Sequence, residues 1–478
     1  MSKKYRVKCH ETDSACRGLV KFNNSVFAVD GLLPGETAHI ELVYGKDRKS
    51  TTAKLTDIEI PSPDRVKPFC EAFPRCGGCT LQHASYEAQL AMKQAAAKKL
   101  LGEFAPVKKI IGMKNPFHYR HKVHASFYRS RRGMELGIYE ENTHKVITVP
   151  DCAIQNKTAN GILRTLRKLA DEFRLSAYNE DTGMGLMRHV LIRCGYVTGQ
   201  VMVVLVLADT NFPGRSRFIE KLRTAHPEIT TIIQNINHQK TSMVLGESET
   251  VLYGNGYIED ELCGLRFRIS SKSFYQVNPE QTQILYRTAI DFAILTGKET
   301  VLDAYCGTGT IGLIAAGKAK NVIGVENNEA AVRDAEVNAK VNGVQNVRFL
   351  KGDAAEYMKK AADNKADRPD VVIMDPPRSG ASQEFLGALV KANPSRVVYV
   401  SCCMETLRRD LKVLCGKGYK VEKVQGVDMF GWSGHVEMVV LLSQQKPDDT
   451  IEIDLDLDEL DATTAETKAS YEEIKTYV

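Results

Sequence analysis

Two adjacent thiols, Cys402 and Cys403, lie between an apolar strand pattern and a helical pattern. A thiol at the N-terminus of a helix has a lowered pKa, because the helix dipole favours the thiolate, and a thiolate is a strong nucleophile. A free cysteine is also commonly a buried apolar side chain. The position of Cys402 alone therefore leaves a catalytic and a structural interpretation open.

One reaction that needs such a thiolate is the methylation of a pyrimidine base, and it would favour the catalytic interpretation. C5 of uracil is a poor nucleophile toward an electrophilic methyl group, whereas addition of a thiolate at C6 makes C5 enolate-like. A base must then remove the C5 proton so that the thiol can leave by elimination. Glu437, which enters the last predicted strand, is the predicted base, and His435 is the lesser candidate.

A glycine-rich turn predicts a nucleotide-type ligand at the same end of the molecule. Residues 303–310 end one predicted strand and open a helix, and the glycines permit a tight turn and close approach of a ligand. Glu326, at the end of the next strand, is placed to bind a ribose hydroxyl pair. The turn lacks the third glycine that a pyrophosphate-binding turn prefers. Asp303 and Asp353 therefore favour S-adenosylmethionine over a nicotinamide cofactor or an incidental turn.

Two prolines follow a further predicted strand, in the run Asp375-Pro376-Pro377. Consecutive prolines hold a rigid bend, which directs Asp375 toward the carboxyl edge of a parallel sheet. This edge is also where the thiol and the glycine turn are predicted.

A second group of cysteines lies far upstream. Cys70, Cys76 and Cys79 place three thiols within ten residues, and tetrahedral metal chemistry needs a fourth ligand that the spacing does not identify. Four thiolates serve zinc or an iron–sulfur centre equally well. Three unrelated core cysteines are a poor interpretation, because two glycines separate Cys76 from Cys79.

The elements that position these residues change character along the chain. Residues 5–58 read as short strands separated by turns, which predicts a small barrel, and 66–265 read as a mixed α+β region. From residue 266 strand and helix patterns alternate, which predicts a doubly wound α/β sheet with antiparallel strands at its end. We therefore divide the chain into domains 1–60, 66–265 and 266–446 and a tail, 447–478.

Composition and charge exclude several classes of protein. The chain has 478 residues and a formal net charge of +5, but its last 32 residues carry eleven acidic and two basic side chains. Residues 1–446 therefore carry a net charge of +14, which suggests a polyanionic partner. No apolar run approaches membrane-spanning length and the N-terminus lacks an apolar signal segment, so a cytosolic protein with reduced thiols is expected.

A basic hairpin is predicted around residues 117–139. Cations that bind phosphates alternate there with aromatic side chains that could stack on unpaired bases, which suits single-stranded RNA, although a solvated surface is an equal alternative. The cations are Arg120, His121, Lys122, Arg129, Arg131 and Arg132, and the aromatic residues are Tyr119, Phe127 and Tyr128.

Taken in order, the motifs DxxCGxG, DPPR, YVSC and HVE between residues 303 and 437 resemble those of the RNA uracil-5-methyltransferases. Residues 273–278 resemble the FxQxN stretch of that family, whose aromatic residue faces the flipped base. The resemblance implies an S-adenosyl-L-methionine-dependent enzyme that makes 5-methyluridine, with Cys402 as nucleophile and Glu437 as base. The implied cofactor-binding residues are Gln276, Tyr305, Glu326, Asp353 and Asp375.

The sequence departs from the family pattern at two points. The family usually reads SC[ND]P, whereas this chain reads Ser401-Cys402-Cys403-Met404. The assignment to Cys402 thus rests on alignment with YVSC. The usual lead-in FP.T.H is replaced by 430–435, Phe-Gly-Trp-Ser-Gly-His, so the approach to Glu437 is expected to differ.

The upstream segments extend the resemblance. Residues 5–58 look like a TRAM domain, a small RNA-binding barrel, and four cysteines match the 4Fe-4S cluster ligands of the ribosomal-RNA branch of the family: Cys70, Cys76, Cys79 and Cys152. This implies 23S rRNA as the substrate. Neither a membrane nor an obligate protein partner is predicted from the sequence. The alternatives are the same chemistry on tRNA and a non-catalytic iron–sulfur RNA-binding protein.

Overall fold

A computed structural model of the chain describes residues 4–44, 51–140, 143, 145–239 and 244–445. The predicted acidic tail, 447–478, lies outside these residues. Contacts between residues group Met1–Gln444 into one unit, so the domain boundaries inside it stay predictions. Among the described helices, none has both the length and the apolar character to span a bilayer.

The N-terminal part consists of short strands. They are β1 Lys4–Lys8, β2 Glu11–Thr12, β3 Gly18–Phe22, β4 Ser25–Val29, β5 Thr37–Tyr44 and β6 Thr51–Ile60. They pair into two antiparallel sheets, ordered β1-β5-β6 and β2-β3-β4, and β1 contacts β3 while β4 contacts β6. Val20, Val29 and Ile40 belong to the core of this part. The predicted strands are present, arranged as two sheets in contact.

The central part contains a mixed sheet and three helices. The helices are α1 Tyr86–Leu101, α2 Lys157–Glu172 and α3 Arg215–Ala225. The strands are β7 Lys122–Ser130, β8 Gly133–Tyr139, β9 Val146–Thr148, β10 Met187–Cys194, β11 Val201–Leu207, β12 Ile229–Ile236 and β13 Ser248–Tyr253, in the order β13-β12-β11-β10-β7-β8-β9. A two-stranded sheet, β14 Tyr257–Leu262 and β15 Leu265–Ser270, follows.

The C-terminal part has the predicted doubly wound α/β sheet. Its helices are α4 Pro279–Ala293, α5 Thr310–Ala316, α6 Glu329–Val341, α7 Ala354–Asp363, α8 Gln383–Ala392 and α9 Met404–Cys415. Its strands are β16 Thr300–Ala304, β17 Asn321–Glu326, β18 Val347–Lys351, β19 Val371–Met374, β20 Arg396–Ser401, β21 Tyr419–Val427 and β22 Glu437–Gln444. Their order is β18-β17-β16-β19-β20-β22-β21, and β22 runs antiparallel to both of its neighbours.

The middle strands of this sheet explain where the predicted site residues meet. Every residue of β19 is buried, as expected for a parallel strand covered on both faces by helices. Strands β16, β19 and β20 pair in parallel, so their carboxyl ends lie along one edge. Tyr305, Asp375 and Cys402 follow these three strands directly, and the fold therefore brings them to the same edge.

Candidate active site

The glycine turn between β16 and α5 is built on backbone conformations that favour glycine. Gly309 has a φ of +76°, and a Cβ added there would meet the ring of Phe349 at 2.5 Å. Tyr305 also adopts a positive φ, +63°, which turns its side chain away from the strand direction. The buried carboxylate of Asp303 accepts a hydrogen bond from the Gly312 amide at 2.7 Å and fixes the start of α5.

A pocket adjoins this turn. Its volume, including the open space at its mouth, is about 420 Å³. Three of the five predicted cofactor residues, Gln276, Tyr305 and Asp375, line it together with Phe274 and Gly307. Phe274 is 62 % exposed, so its ring lies at the mouth rather than in the core. The pocket thus joins the segment before α4 to the carboxyl edge of the sheet.

The other two predicted cofactor residues lie beside the pocket, outside its lining as the described residues form it. Glu326 accepts hydrogen bonds from the amides of Gly307 at 3.0 Å and Asn328 at 2.8 Å, so its carboxylate braces the glycine turn. Asp353 is the N-cap of α7, and its Oδ1 accepts from the Ala355 amide at 2.8 Å.

Burial disfavours the ionised form of the carboxyl groups at this edge. Burial raises the pKa of Asp303 to about 8; repulsion from Asp375 and Glu326 adds to the rise, and the hydrogen bond from the Gly312 amide opposes it. Burial also raises the pKa of Asp375 to about 7, although this side chain keeps some solvent contact. A positively charged ligand would stabilise the ionised forms of both groups.

Strand pairing brings Cys402 near Glu437. The last partners in the antiparallel pair of β20 and β22 are Ser401 and Met438, so Cys402 and Glu437 are the next residues beyond this pair, close enough for their charges to interact. Cys402 stands two residues before the first residue of α9 and is partly exposed. Burial raises its thiol pKa to about 11, and repulsion from Glu437 and Asp375 adds to this, while Arg378 lowers it.

The neighbouring thiol is directed elsewhere. Cys403 is the N-cap residue of α9, and its Sγ donates a hydrogen bond to the carboxylate of Glu405 at 3.4 Å. The backbone of Cys403 is tied to Ser401, whose hydroxyl oxygen accepts from the Cys403 amide at 3.2 Å. The structure therefore brings Cys402, and not its neighbour, into the range of Glu437.

Glu437 is buried, with 5 % of its surface exposed. Burial raises its pKa to about 8, repulsion from Asp375 contributes, and the Arg378 guanidinium lowers it. His435, the lesser candidate for the base, is exposed, and its ring centroid lies 6.2 Å from that of Phe430.

The segment between β21 and Glu437 is held by residues that the sequence analysis did not single out. Lys93 and Asp428 form a completely buried ion pair at 2.6 Å, and the Tyr86 hydroxyl donates to the same carboxylate at 2.6 Å. The Gln89 side chain accepts from the Trp432 amide at 2.9 Å. These three residues of α1 are spaced by three and four positions, a pattern that places polar groups on one helix face and could have identified them.

The four upstream cysteines lie close enough for their charges to interact. Burial raises the pKa of Cys79 to about 12, and repulsion from Cys152, Cys76 and Cys70 contributes. Burial likewise raises the pKa of Cys152. In the described part of the chain, however, no group of three or more histidine, cysteine or acidic side chains is arranged to hold a metal ion. The thiols are neighbours but do not form a closed ligand set.

The predicted RNA hairpin is present as β7 and β8, but its aromatic residues do not interleave with the cations on the surface. Tyr119 and Phe127 are 8 % and 3 % exposed and belong to the core, so the prediction that they stack on bases is wrong. The alternation that suggested an exposed face instead buries one face of β7 against α2. The Tyr128 hydroxyl is hydrogen-bonded to Thr148, whereas Arg131 and Arg132 at the turn are exposed.

Comparisons with known proteins agree with this architecture. The family model of tRNA (uracil-5-)-methyltransferases matches residues 85–445. An uncharacterized RNA methyltransferase of Halalkalibacterium halodurans is 41 % identical over 430 residues, 89 % of this chain and 93 % of its own length. One of Clostridium acetobutylicum is 40 % identical over 92 % of this chain and 97 % of its length.

Among solved structures, the Pyrococcus abyssi tRNA (uracil-54, C5)-methyltransferase in complex with S-adenosyl-L-homocysteine superposes with a TM-score of 0.75. It is 26 % identical in sequence, and the match covers 92 % of this chain and all of that chain. The likeness extends beyond the α/β sheet to most of the described residues.

Proposed function

The chain belongs to the tRNA (uracil-5-)-methyltransferase family of S-adenosylmethionine-dependent RNA methyltransferases, and from this premise we propose that it methylates C5 of uracil through a covalent adduct between the Cys402 sulfur and C6. The product is 5-methyluridine in RNA. The observation that carries the proposal is the pairing of β20 with β22, whose last partners, Ser401 and Met438, adjoin Cys402 and the buried Glu437.

The two residues divide the reaction between them. The Cys402 thiolate forms a bond to C6 of uracil, and the electron pair of the C5–C6 double bond moves toward O4, which makes C5 nucleophilic. After C5 has taken the methyl group, Glu437 accepts the C5 proton, the double bond reforms and the bond from C6 to sulfur breaks. Because a base inside a helix cannot expose C6, the target uridine must be flipped or looped out.

The pocket residues hold the methyl donor. S-adenosylmethionine, when bound, supplies an electrophilic methyl group on a positively charged sulfur. Gln276, Tyr305 and Asp375 line the pocket and are proposed to bind it, with Glu326 and Asp353 contributing from beside it. The raised pKa values of Asp375 and Asp303 support this assignment, because a cationic ligand offsets the cost of burying their charges.

The four upstream cysteines are proposed to hold a 4Fe-4S cluster with a structural role. The four thiols lie close enough for their charges to interact, and this supports the proposal, since four neighbouring thiolates need a cationic centre to offset their repulsion. Zinc is the rival centre. Absorbance in the visible range after anaerobic purification distinguishes the two, because only the iron–sulfur cluster is coloured, and a colourless protein with stoichiometric zinc would overturn the assignment.

The proposed substrate is 23S rRNA, and the proposed site of action is the cytoplasm. Resemblance of residues 5–58 to a TRAM domain and of the four cysteines to the ribosomal-RNA branch support this choice. tRNA is the second candidate, favoured by the name of the Pyrococcus abyssi enzyme and by the name of the family.

The test is methyl transfer from a radiolabelled donor to purified 23S rRNA and to tRNA in parallel. We expect label in 23S rRNA as 5-methyluridine, and none with Cys402→Ala as the control. Label in tRNA alone would move the substrate to the second candidate. RNA binding without label in either would identify a non-catalytic RNA-binding protein and refute the proposal.

A further inference from the structure

Two aromatic rings lie exposed beside the upstream cysteines. Phe69 is 41 % exposed and Phe117 is 36 % exposed, and their ring centroids are 5.2 Å apart in an edge-on arrangement. Single exposed apolar residues are ordinary, whereas a pair in contact forms a patch that needs a reason. Phe69 and Phe117 are called the aromatic platform below.

The platform is rigidly supported from beneath. The Trp432 ring lies 4.9 Å from that of Phe69 and 5.2 Å from that of Phe117, and its Nε1 donates to the Pro116 carbonyl at 2.8 Å. Trp432 itself is held by the amides of Thr80 and Leu81, which both donate to its carbonyl, at 2.9 and 3.0 Å. Two exposed rings on a fixed base have little conformational entropy to lose on binding.

Cations near the platform in sequence favour a nucleic-acid partner. Lys67 precedes Phe69 by two residues, Lys114 precedes Phe117 by three, and Arg75 lies on the Phe69 segment. All three are exposed, and none forms an ion pair with any residue in the described ranges. Glu71 is the exposed acidic residue among them. Exposed rings flanked by unpaired cations are the composition that binds single-stranded nucleic acid, by stacking on bases and attracting phosphates.

The platform is also connected to the proposed catalytic base. Trp432 lies five residues before Glu437, and the same segment is held by Asn278, whose side-chain amide donates to the Met429 carbonyl at 3.0 Å. Asn278 in turn follows Gln276 of the pocket by two residues. One continuous segment therefore supports the platform at Trp432 and ends at the carboxylate.

From these contacts we infer that the aromatic platform stacks an unpaired base of the RNA strand that carries the target uridine. The inference rests on the proposed function, because an RNA substrate makes the occupant a nucleobase. It adds a stacking site that replaces Tyr119 and Phe127, which the fold buries.

The experiment separates stacking from charge. Binding of a labelled oligouridylate of about twelve nucleotides is compared with binding of an abasic ribose-phosphate of equal length, by fluorescence anisotropy. The full-length protein is compared with Phe69→Ala/Phe117→Ala, Phe69→Leu and Phe69→Trp. Val251→Ala, at a 48 % exposed position on β13, is the surface control.

We expect the double alanine variant to bind oligouridylate about tenfold more weakly, with unchanged binding of the abasic chain. Phe69→Leu, which keeps apolar bulk, should also lose affinity for oligouridylate, whereas Phe69→Trp should keep it. Thermal melting followed by circular dichroism checks folding, and if the double variant is unfolded the comparison of Phe69→Leu with Phe69→Trp decides.

Equal affinity of all variants for oligouridylate would overturn the inference, as would equal losses for both oligomers. If the wild-type protein formed a concentration-dependent dimer, and Phe69→Leu made it monomeric without changing RNA binding, the platform would instead be a self-association surface. Base-dependent binding without methyl transfer would refute the proposed function and not the stacking site. Methyl transfer with no base-dependent difference between variants would refute the stacking site alone.

Discussion

At the scale of single residues, the adjacent thiols give the sharpest contrast. The Cys402 thiol is close enough to Glu437 for their charges to interact, whereas the Cys403 thiol is hydrogen-bonded to Glu405. We expect Cys402→Ala to lower methyl transfer at least about 10⁴-fold, because the nucleophile is lost, and Cys403→Ala to keep most of the rate. The measurement is the initial rate of label transfer to RNA, with thermal melting as the control for folding. The reverse result would move the nucleophile by one residue.

The carboxylate near the thiol makes a different prediction. Glu437→Gln keeps the size of the side chain but removes its ability to accept the C5 proton. The reaction should therefore stop after methyl transfer, with RNA still bonded to Cys402. A denaturing gel would show a retarded, labelled protein–RNA band, and the double variant Glu437→Gln/Cys402→Ala should lack it. If the Glu437→Gln enzyme turned over as the wild type does, Glu437 would be excluded as the base.

The raised pKa of Glu437 also fixes the sign of two pH dependences. A base acts in its deprotonated form, and the C5 proton is removed only after methyl transfer, so kcat should rise with pH up to about pH 8, where the Glu437 pKa lies, and a flat kcat profile below pH 8 would contradict this. The folded state holds this proton more tightly than the unfolded state, whose carboxyl titrates near about 4.3. Glu437 should therefore lower the free energy of unfolding as pH rises from about 4.3 to 8, and Glu437→Gln should reduce that fall in urea titrations.

At the scale of secondary-structure elements, the alternation of strands and helices after residue 266 predicted the α/β sheet nearly strand for strand, because parallel strands are short apolar runs. Fewer elements of the central part were predicted from the sequence. Helix α3 and strands β13 to β15 were not predicted, since β13 is largely exposed and lacks an apolar face. Residues 186–207 read as strand-like throughout, but the chain turns at Gly199, where φ is +67°, and returns as β11.

Site residues followed the same rule. Tyr305, Asp375 and Cys402 could be placed from sequence because each directly follows a predicted strand. The contacts of Trp432 could not, since they join it to segments more than 300 residues away, at Pro116 and Gln89. Burial also reversed one expectation. A helix N-terminus was expected to lower the Cys402 pKa, but desolvation raises it, and repulsion from Glu437 and Asp375 adds to the rise.

Helix α1 makes a prediction about stability. Lys93 and Asp428 are both completely buried, so Lys93→Ala would leave an uncompensated carboxylate and should cost about 3–5 kcal/mol of unfolding free energy. The double variant Lys93→Ala/Asp428→Asn should recover part of this loss. The exposed pair Lys99–Glu11 is the matched control, where Lys99→Ala should cost far less, because solvent screens both charges. Urea unfolding measures all three, and equal costs for the two lysines would contradict the argument.

At the scale of the whole molecule, the N-terminal strands reach the edge of the proposed active site. The Ser14 side chain is hydrogen-bonded to Glu405 in the first turn of α9, two residues beyond Cys403. On the other side of the site, Gly434 lies against the backbone of Ala15. The turn between β2 and β3 therefore contacts both the helix that follows the thiols and the segment that leads to Glu437.

Adding one methyl group at Gly434 tests the contact between the β2–β3 turn and the segment that leads to Glu437. A Cβ at Gly434 would lie 2.3 Å from the Ala15 carbonyl oxygen, and backbone cannot yield as a flexible side chain does. Gly434→Ala should therefore displace the β2–β3 turn or shift Glu437, at a cost of about 1–3 kcal/mol and a lower rate of methyl transfer. Gly387→Ala in α8, where a Cβ meets nothing within 4 Å, is the matched control and should stabilise the protein by about 0.5–1 kcal/mol. If Gly434→Ala melts and turns over like the wild type, the N-terminal strands do not constrain the catalytic segment.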